Sequence, residues 1–169
     1  MAAAYTVMID HKQPTISETG MINPMVEALK EAQLAASKGE VPVGAVVTGP
    51  DGAIIARAGN RTEALYDASA HAEMLVLRQA AACLSNPRLV DCDLFVTLEP
   101  CPMCAHAISL FRVRRLIFGA YDPKGGGVEH GPRIFQSSSC HHAPTVVGGV
   151  RETEASEMLQ RFFQGLRGR

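Results

Sequence analysis

Apolar residues at Met25, Leu29, Ala32 and Ala36 recur at helical spacing directly after Asn23-Pro24. Asparagine as N-cap and proline at the first helical position open a helix, and Gly39 ends it. The pattern then changes. VGAVVT (43–48) and AIIARA (53–58) flank the turn formers GPDG, which predicts a β-hairpin. A second helix is predicted from about Ala70 to Ser85, stopped by Asn86-Pro87, with Cys83 on its apolar side. DLFVTLE (93–99) is a continuous apolar run short enough for a buried strand. A short helix follows it in CPMCAHAI, then a strand in LIFGA (116–120). Residues 121 to 144 are rich in turn formers, including GGG at 125–127, and read as a loop. TVVGGV adds a short last strand, and 152–166 a final amphipathic helix with Met158, Leu159, Phe162 and Phe163 facing the sheet. Residues 1–22 have no sustained periodicity and are expected to be a leader before one domain at 23–169, with Met21 a candidate alternative start. Strands alternating with helices after a single hairpin predict an α/β sandwich around a mixed sheet.

Composition changes this picture little. Apolar residues make up 47% and charged residues 20% of 169 positions, ordinary for a globular domain. Sixteen basic side chains face seventeen acidic ones, so net charge points to no partner, and a nucleic acid would need a local basic patch. The one visible cluster is Arg112, Arg114 and Arg115, with Lys124 and the C-terminal Arg161, Arg167 and Arg169 as candidates to join it. No stretch approaches the ~20 apolar residues of a membrane span. The first twenty residues lack the apolar core of a signal peptide and contain Asp10 and Glu18. A cytoplasmic location is therefore expected, where paired cysteines more often bind metal or catalyse than form structural disulfides.

The chemistry concentrates in two places. TLEPCPMCAHAI places Cys101 and Cys104 three apart at a helix start, and ASAHAEMLVL places His71 and Glu73 at another. Two thiolates and an imidazole form a ligand set suited to zinc, one ion per chain. Glu73 is about 200° around an ideal helix from His71, so it converges on the same ion only off the helix end. It is assigned no metal bond. Three protein ligands, an open fourth position and an adjacent carboxylate acting as acid and base describe a catalytic zinc rather than a structural one. The helix N-termini favour thiolates there.

H-x-E followed by P-C-x-x-C resembles the signature of the cytidine/deoxycytidylate deaminase superfamily. EVPVGAVV, GNR, AHAE, VTLEPCPMCAHAI, FGAYDPKGG and a terminal FF narrow the resemblance to the bacterial tRNA-specific adenosine deaminases, over about residues 22 to 166. The resemblance implies a three-layer α/β/α, cytidine deaminase-like fold and a homodimer. It implies hydrolysis of adenosine to inosine at the wobble position of a tRNA anticodon stem-loop. It makes His71, Cys101 and Cys104 the zinc ligands and Glu73 the proton shuttle. Asn60 becomes a nucleoside contact, Glu40 to Val43 and Ala72 pocket lining, and Asp122 a residue near the flipped nucleotide. Where the family commonly has proline before T-A-H-A-E, this chain has Ala68, with Ser69 left to cap the next helix; where it commonly has tryptophan before Asn-Arg, this chain has Gly59.

Other readings stay open at this level. A C-x-x-C after a strand also suits a redox pair. Cys140, His141 or His142 could close a structural zinc site. A free guanine or cytosine deaminase would carry the same catalytic motif. Asn60 and Asp122 also fit as ordinary turn residues, and Cys83 and Cys92 as core thiols.

Overall fold

The computed structural model describes residues 22–168, so the expected leader, apart from its last residue, and the candidate start at Met21 lie outside the described part. Helix α1 (Pro24–Ser37) begins as its sequence dictates: the Asn23 side chain accepts from Met25 N at 3.0 Å and from Val26 N at 3.4 Å. Strands β1 (Gly44–Thr48) and β2 (Ile54–Gly59) form the hairpin. A single turn, α2 (Thr62–Leu65), precedes α3 (Ala72–Leu84). The chain continues through β3 (Asp93–Leu98), α4 (Pro102–Leu110), β4 (Arg115–Ala120), β5 (Thr145–Val147) and α5 (Glu152–Arg167).

The five strands form one mixed sheet in the order β2-β1-β3-β4-β5. β1 runs antiparallel to both neighbours, while β3, β4 and β5 are mutually parallel. Alternation along each strand divides the core into two layers. Ala45, Val47, Leu94, Val96, Leu116 and Phe118 point to one face, under α3 and α4. Val46, Phe95 and Ile117 point to the other, where Met25 and Ala28 of α1 meet them. Ala155 of α5 packs there against Leu29 and Ala120. The expected three-layer arrangement is the observed one. Its α1 layer lies very close to the sheet: a Cβ on Gly44 would stand 2.0 Å from the Ala28 carbonyl oxygen, so no side chain fits there.

Several sequence-level expectations shift. Cys92 is buried, but Cys83 is exposed, because the last turn of α3, from Cys83 to Ser85, is exposed all round. Met158 and Leu159 pack on the small cluster around Leu29, but Phe163 is exposed and stacks edge-on against Phe162 instead of reaching the sheet. The loop at 121–144 contains a 3₁₀ turn, Ile134–Gln136. The basic cluster is partly spent: Arg114 and Arg115 both bind the buried carboxylate of Asp93.

Candidate metal centre and active site

The parallel pair β3–β4 sets the location, because crevices in such sheets open at the carboxyl ends of the strands. Just beyond β3 the chain reaches Cys101, the N-cap of α4, with Pro102 at its first helical position. His71 is the N-cap of α3, whose buried start packs beside α4. Both helices therefore aim their N-termini at one spot. The His71 Nδ1 atom lies 3.6 Å from Cys101 Sγ and 3.5 Å from Cys104 Sγ, and the three ligand atoms all lie within 4.8 Å of one another. A tetrahedral zinc with its usual bond lengths separates a nitrogen from a sulfur ligand by about 3.6 Å. The residues fit the ion.

Glu73 stands beside this cluster, with its side chain 4% exposed and its carboxyl sharing a hydrogen bond with Cys104. Burial pushes the carboxyl up to about 7, opposed by its own backbone N–H and by His71. A carboxyl poised near neutrality can both take and give a proton. The Cys104 thiol donates to Cys101, and together with His71 this brings the Cys101 thiol down to about 4 against the effect of burial. Cys104 itself is shifted upward, first by that hydrogen bond and then by burial. Cys101 thus behaves as a thiolate at a helix N-terminus.

The other expected residues fall around this centre in different ways. Asn60 Oδ1 accepts from Ala72 N at 2.8 Å and so caps α3 from outside the helix. Ser69, expected in that role, instead donates its hydroxyl to Asp67 at 2.7 Å. The asparagine wins because the β2 exit carries its amide to the helix start, while Ser69 is held in the tight turn built on Asp67. Val43 and Ala72 are buried, and the Val43 carbonyl accepts from Asn60 N at 3.0 Å. Glu40 is buried too, but its carboxylate accepts from Thr62 Oγ1, Glu63 N and Ala64 N, the exposed N–H end of α2. Burial raises its pKa, and these hydrogen bonds outweigh that and leave it below the usual carboxylate range. Glu40 thus shapes the loop before His71 through the start of α2.

Asp122 sits where β4 ends, its carboxylate accepting from Lys124 N and Gly125 N. Sequence reasoning missed what holds it. Glu99, 1% exposed, accepts from Asp122 N, Val128 N, Glu129 N and His130 N, and bonds His130 Nδ1 at 2.8 Å. The glycines at 126 and 127 make this clasp possible. A Cβ at Gly126 would lie 2.5 Å from Glu99 Oε1, and one at Gly127 would lie 2.6 Å from Pro102 N. The loop therefore presses directly on the start of α4. The signals available were the unexplained GGG at 125–127 and a glutamate directly after a buried strand.

Cys140, His141 and His142 bring no further ligand. The Cys140 thiol bonds Ser109 Oγ and the His142 carbonyl, His142 Nε2 is taken by the Val113 carbonyl, and the three-residue centre is the one metal-ligating cluster among the described residues.

The profile of the cytidine and deoxycytidylate deaminase zinc-binding region matches residues 21–120, which contain the whole cluster. The chain belongs to this deaminase family. Zinc is the ion of this family's binding region, and His71, Cys101 and Cys104 are the residues whose geometry could hold it. Among its relatives, the tRNA-specific adenosine deaminase of Agrobacterium fabrum is 55% identical over 137 residues, covering 81% of this chain and 90% of the relative. A solved structure from work on A-to-I editing by tRNA:A34 deaminases is 54% identical, with a TM-score of 0.79 over 80% of this chain and 98% of that one. Guanine deaminase from Bacillus subtilis is more distant, 27% identical with a TM-score of 0.58 over 86% and 92%.

Proposed function

We propose that this deaminase converts adenosine to inosine at the wobble position of a tRNA anticodon, releasing ammonia. The carrying observation is the buried Glu73 carboxyl against the three-ligand cluster; identity above 50% to adenosine-acting relatives selects the substrate. Zinc held by His71, Cys101 and Cys104 would supply the Lewis acidity that makes a water nucleophilic toward C6 of adenine. Glu73 receives that water's first proton and delivers it to the ring nitrogen beside C6, then takes the remaining proton from the new C6 hydroxyl and passes it to the departing amino group, leaving the C6 carbonyl. Water adds its oxygen to C6, the C6–N bond breaks, and the products are inosine and ammonia.

The remaining residues position the base. The bond from Ala72 N to its carbonyl oxygen fixes the Asn60 side chain and leaves its amide N–H groups to meet the nucleoside. Val43 and Ala72 form apolar wall. Glu40 acts one step removed, through the α2 turn. Asp122, on the clasped loop, borders the flipped nucleotide. An acid–base group buried as Glu73 is suits a base swung out of a single-stranded loop, as an anticodon permits. The working unit is a cytoplasmic homodimer of residues 23–169. No helix among the described residues is long and apolar enough to cross a membrane.

Incubating the purified zinc protein with an anticodon stem-loop and, separately, with free adenosine, guanine and cytosine tests this reading. Inosine forming in the RNA alone is the expected result. Turnover of free guanine or cytosine without any product from RNA would transfer the chain to the free-base branch of the family.

A further inference from the structure

The segment between α2 and α3 is a braced loop whose base is the active site. Its neck is closed by Arg61 N donating to the Ala70 carbonyl at 3.0 Å, next to the Asn60–Ala72 bond that caps α3. Glu40 pins one flank through the start of α2. The tip is locked as well. Tyr66 N donates to the Glu63 carbonyl, Asp67 N to the Thr62 carbonyl, and Asp67 Oδ1 accepts from both the N–H and hydroxyl of Ser69. Nothing in this pattern is loose.

At that tip stands Tyr66, 98% exposed, the highest value among the exposed large hydrophobic residues described. It occupies the left-handed residue ending α2, at φ 50° and ψ 39°, where glycine or asparagine is favoured. An aromatic ring here strains the backbone, packs on nothing and gives the fold nothing in return. Strain held without a packing return points to function. The location supplies one. Tyr66 lies five positions before His71, at most about 18 Å of extended chain, and the turns shorten that distance. Exposed Arg61 stands at the neck of the same loop. A rigid bare aromatic with a guanidinium group on the same loop is the surface on which unpaired bases stack.

We propose that Tyr66 is a stacking platform for an unpaired base flanking the nucleotide drawn into the site, an assignment that rests on the RNA reading above. It would steady the loop strand while the target base is extruded, and so determine how flanking nucleotides contribute to recognition.

The test compares wild type, Tyr66→Phe and Tyr66→Ala on an anticodon stem-loop and on the same RNA made abasic at each flanking position in turn. For Tyr66→Ala, KM should rise about 5- to 150-fold, the range spanned by base–aromatic stacking. Its kcat should stay within a factor of about three, its zinc content should hold, and its melting temperature should not fall, because the ring is exposed. Tyr66→Phe should keep a KM near that of wild type. One abasic substitution should weaken wild type to the level of Tyr66→Ala and leave that variant unaffected. A wild-type KM in Tyr66→Ala, or equal sensitivity of both proteins to every abasic RNA, overturns the assignment while leaving the RNA reading intact. Conversion of Tyr66→Ala to a monomer on size exclusion would also overturn it, in favour of a subunit contact. If wild type leaves the RNA unreacted and turns over free bases, the RNA reading itself fails.

Discussion

At the residue scale the centre separates holding a metal from moving a proton. His71, Cys101 and Cys104 meet at distances that match zinc, and Glu73 approaches the same cluster without joining it. Substitutions should therefore divide into two classes. Glu73→Gln keeps the shape and removes the proton carrier, so turnover of an anticodon stem-loop should fall about 10²- to 10⁴-fold while zinc stays near one per chain. Single-turnover assays and metal analysis on the same sample check both halves; a zinc loss matching the activity loss would make Glu73 a ligand. His71→Ala and Cys104→Ala should do the opposite, with zinc well below one per chain and a lower melting temperature, because metal binding energy also supports the fold. Zinc remaining near one per chain in either variant would break the ligand assignment.

At the element scale, the decisive contacts join segments far apart in sequence. The Glu99 carboxylate gathers the backbone N–H groups of the 122–130 loop and holds that loop against the start of α4. Glu99→Ala strips one buried and three part-buried backbone donors of their charged acceptor, at a cost of about 3 kcal/mol. For a domain of this size the melting temperature should fall by about 6–12 °C. Calorimetry of the zinc-loaded protein measures it, and a change of a degree or less would mean the loop holds itself. The contrast shows what the sequence carries and what it hides. Five strands, the long helices and the meeting of His71, Cys101 and Cys104 were legible, because each follows from periodicity or from residues placed at helix starts. Helix α2 was not, since its four residues carry no period and its start is capped by Glu40, more than twenty positions earlier. The Glu99 clasp was hidden for the same reason. The Asn60 cap was misread because a local candidate, Ser69, looked sufficient. Periodicity also cannot say where a helix outruns its support, which is why Cys83 and Phe163 sit on apolar meridians yet face solvent.

At the scale of the whole molecule, charge serves the fold before it serves a ligand. Sixteen cations against seventeen anions leave no general attraction for RNA, and Arg114 with Arg115 is already bound to Asp93. Buried carboxylates held by hydrogen bonds make the stability depend on acid in a definite direction. Burial raises Asp93, but Arg115 and Arg114 outweigh it and hold the carboxyl below its ordinary 3.8; Glu40 lies below 4.5 through the α2 N–H groups, again against burial. A depressed folded-state pKa means the unfolded chain binds protons first as pH falls. The stability these groups contribute is therefore fully present above about pH 5 and drains away as the pH drops through 4.5 and below. Zinc release in acid acts in the same direction, so the fold's share has to be isolated by difference. Glu40→Gln leaves the metal centre untouched and removes the ionised acceptor at α2. It should melt below wild type at pH 7, and the gap should close as pH is lowered from about 6 to about 3. Melting temperatures of both zinc-loaded proteins across that range decide it: a gap that stays constant with pH would mean Glu40 supports α2 by shape alone and that its charge contributes nothing.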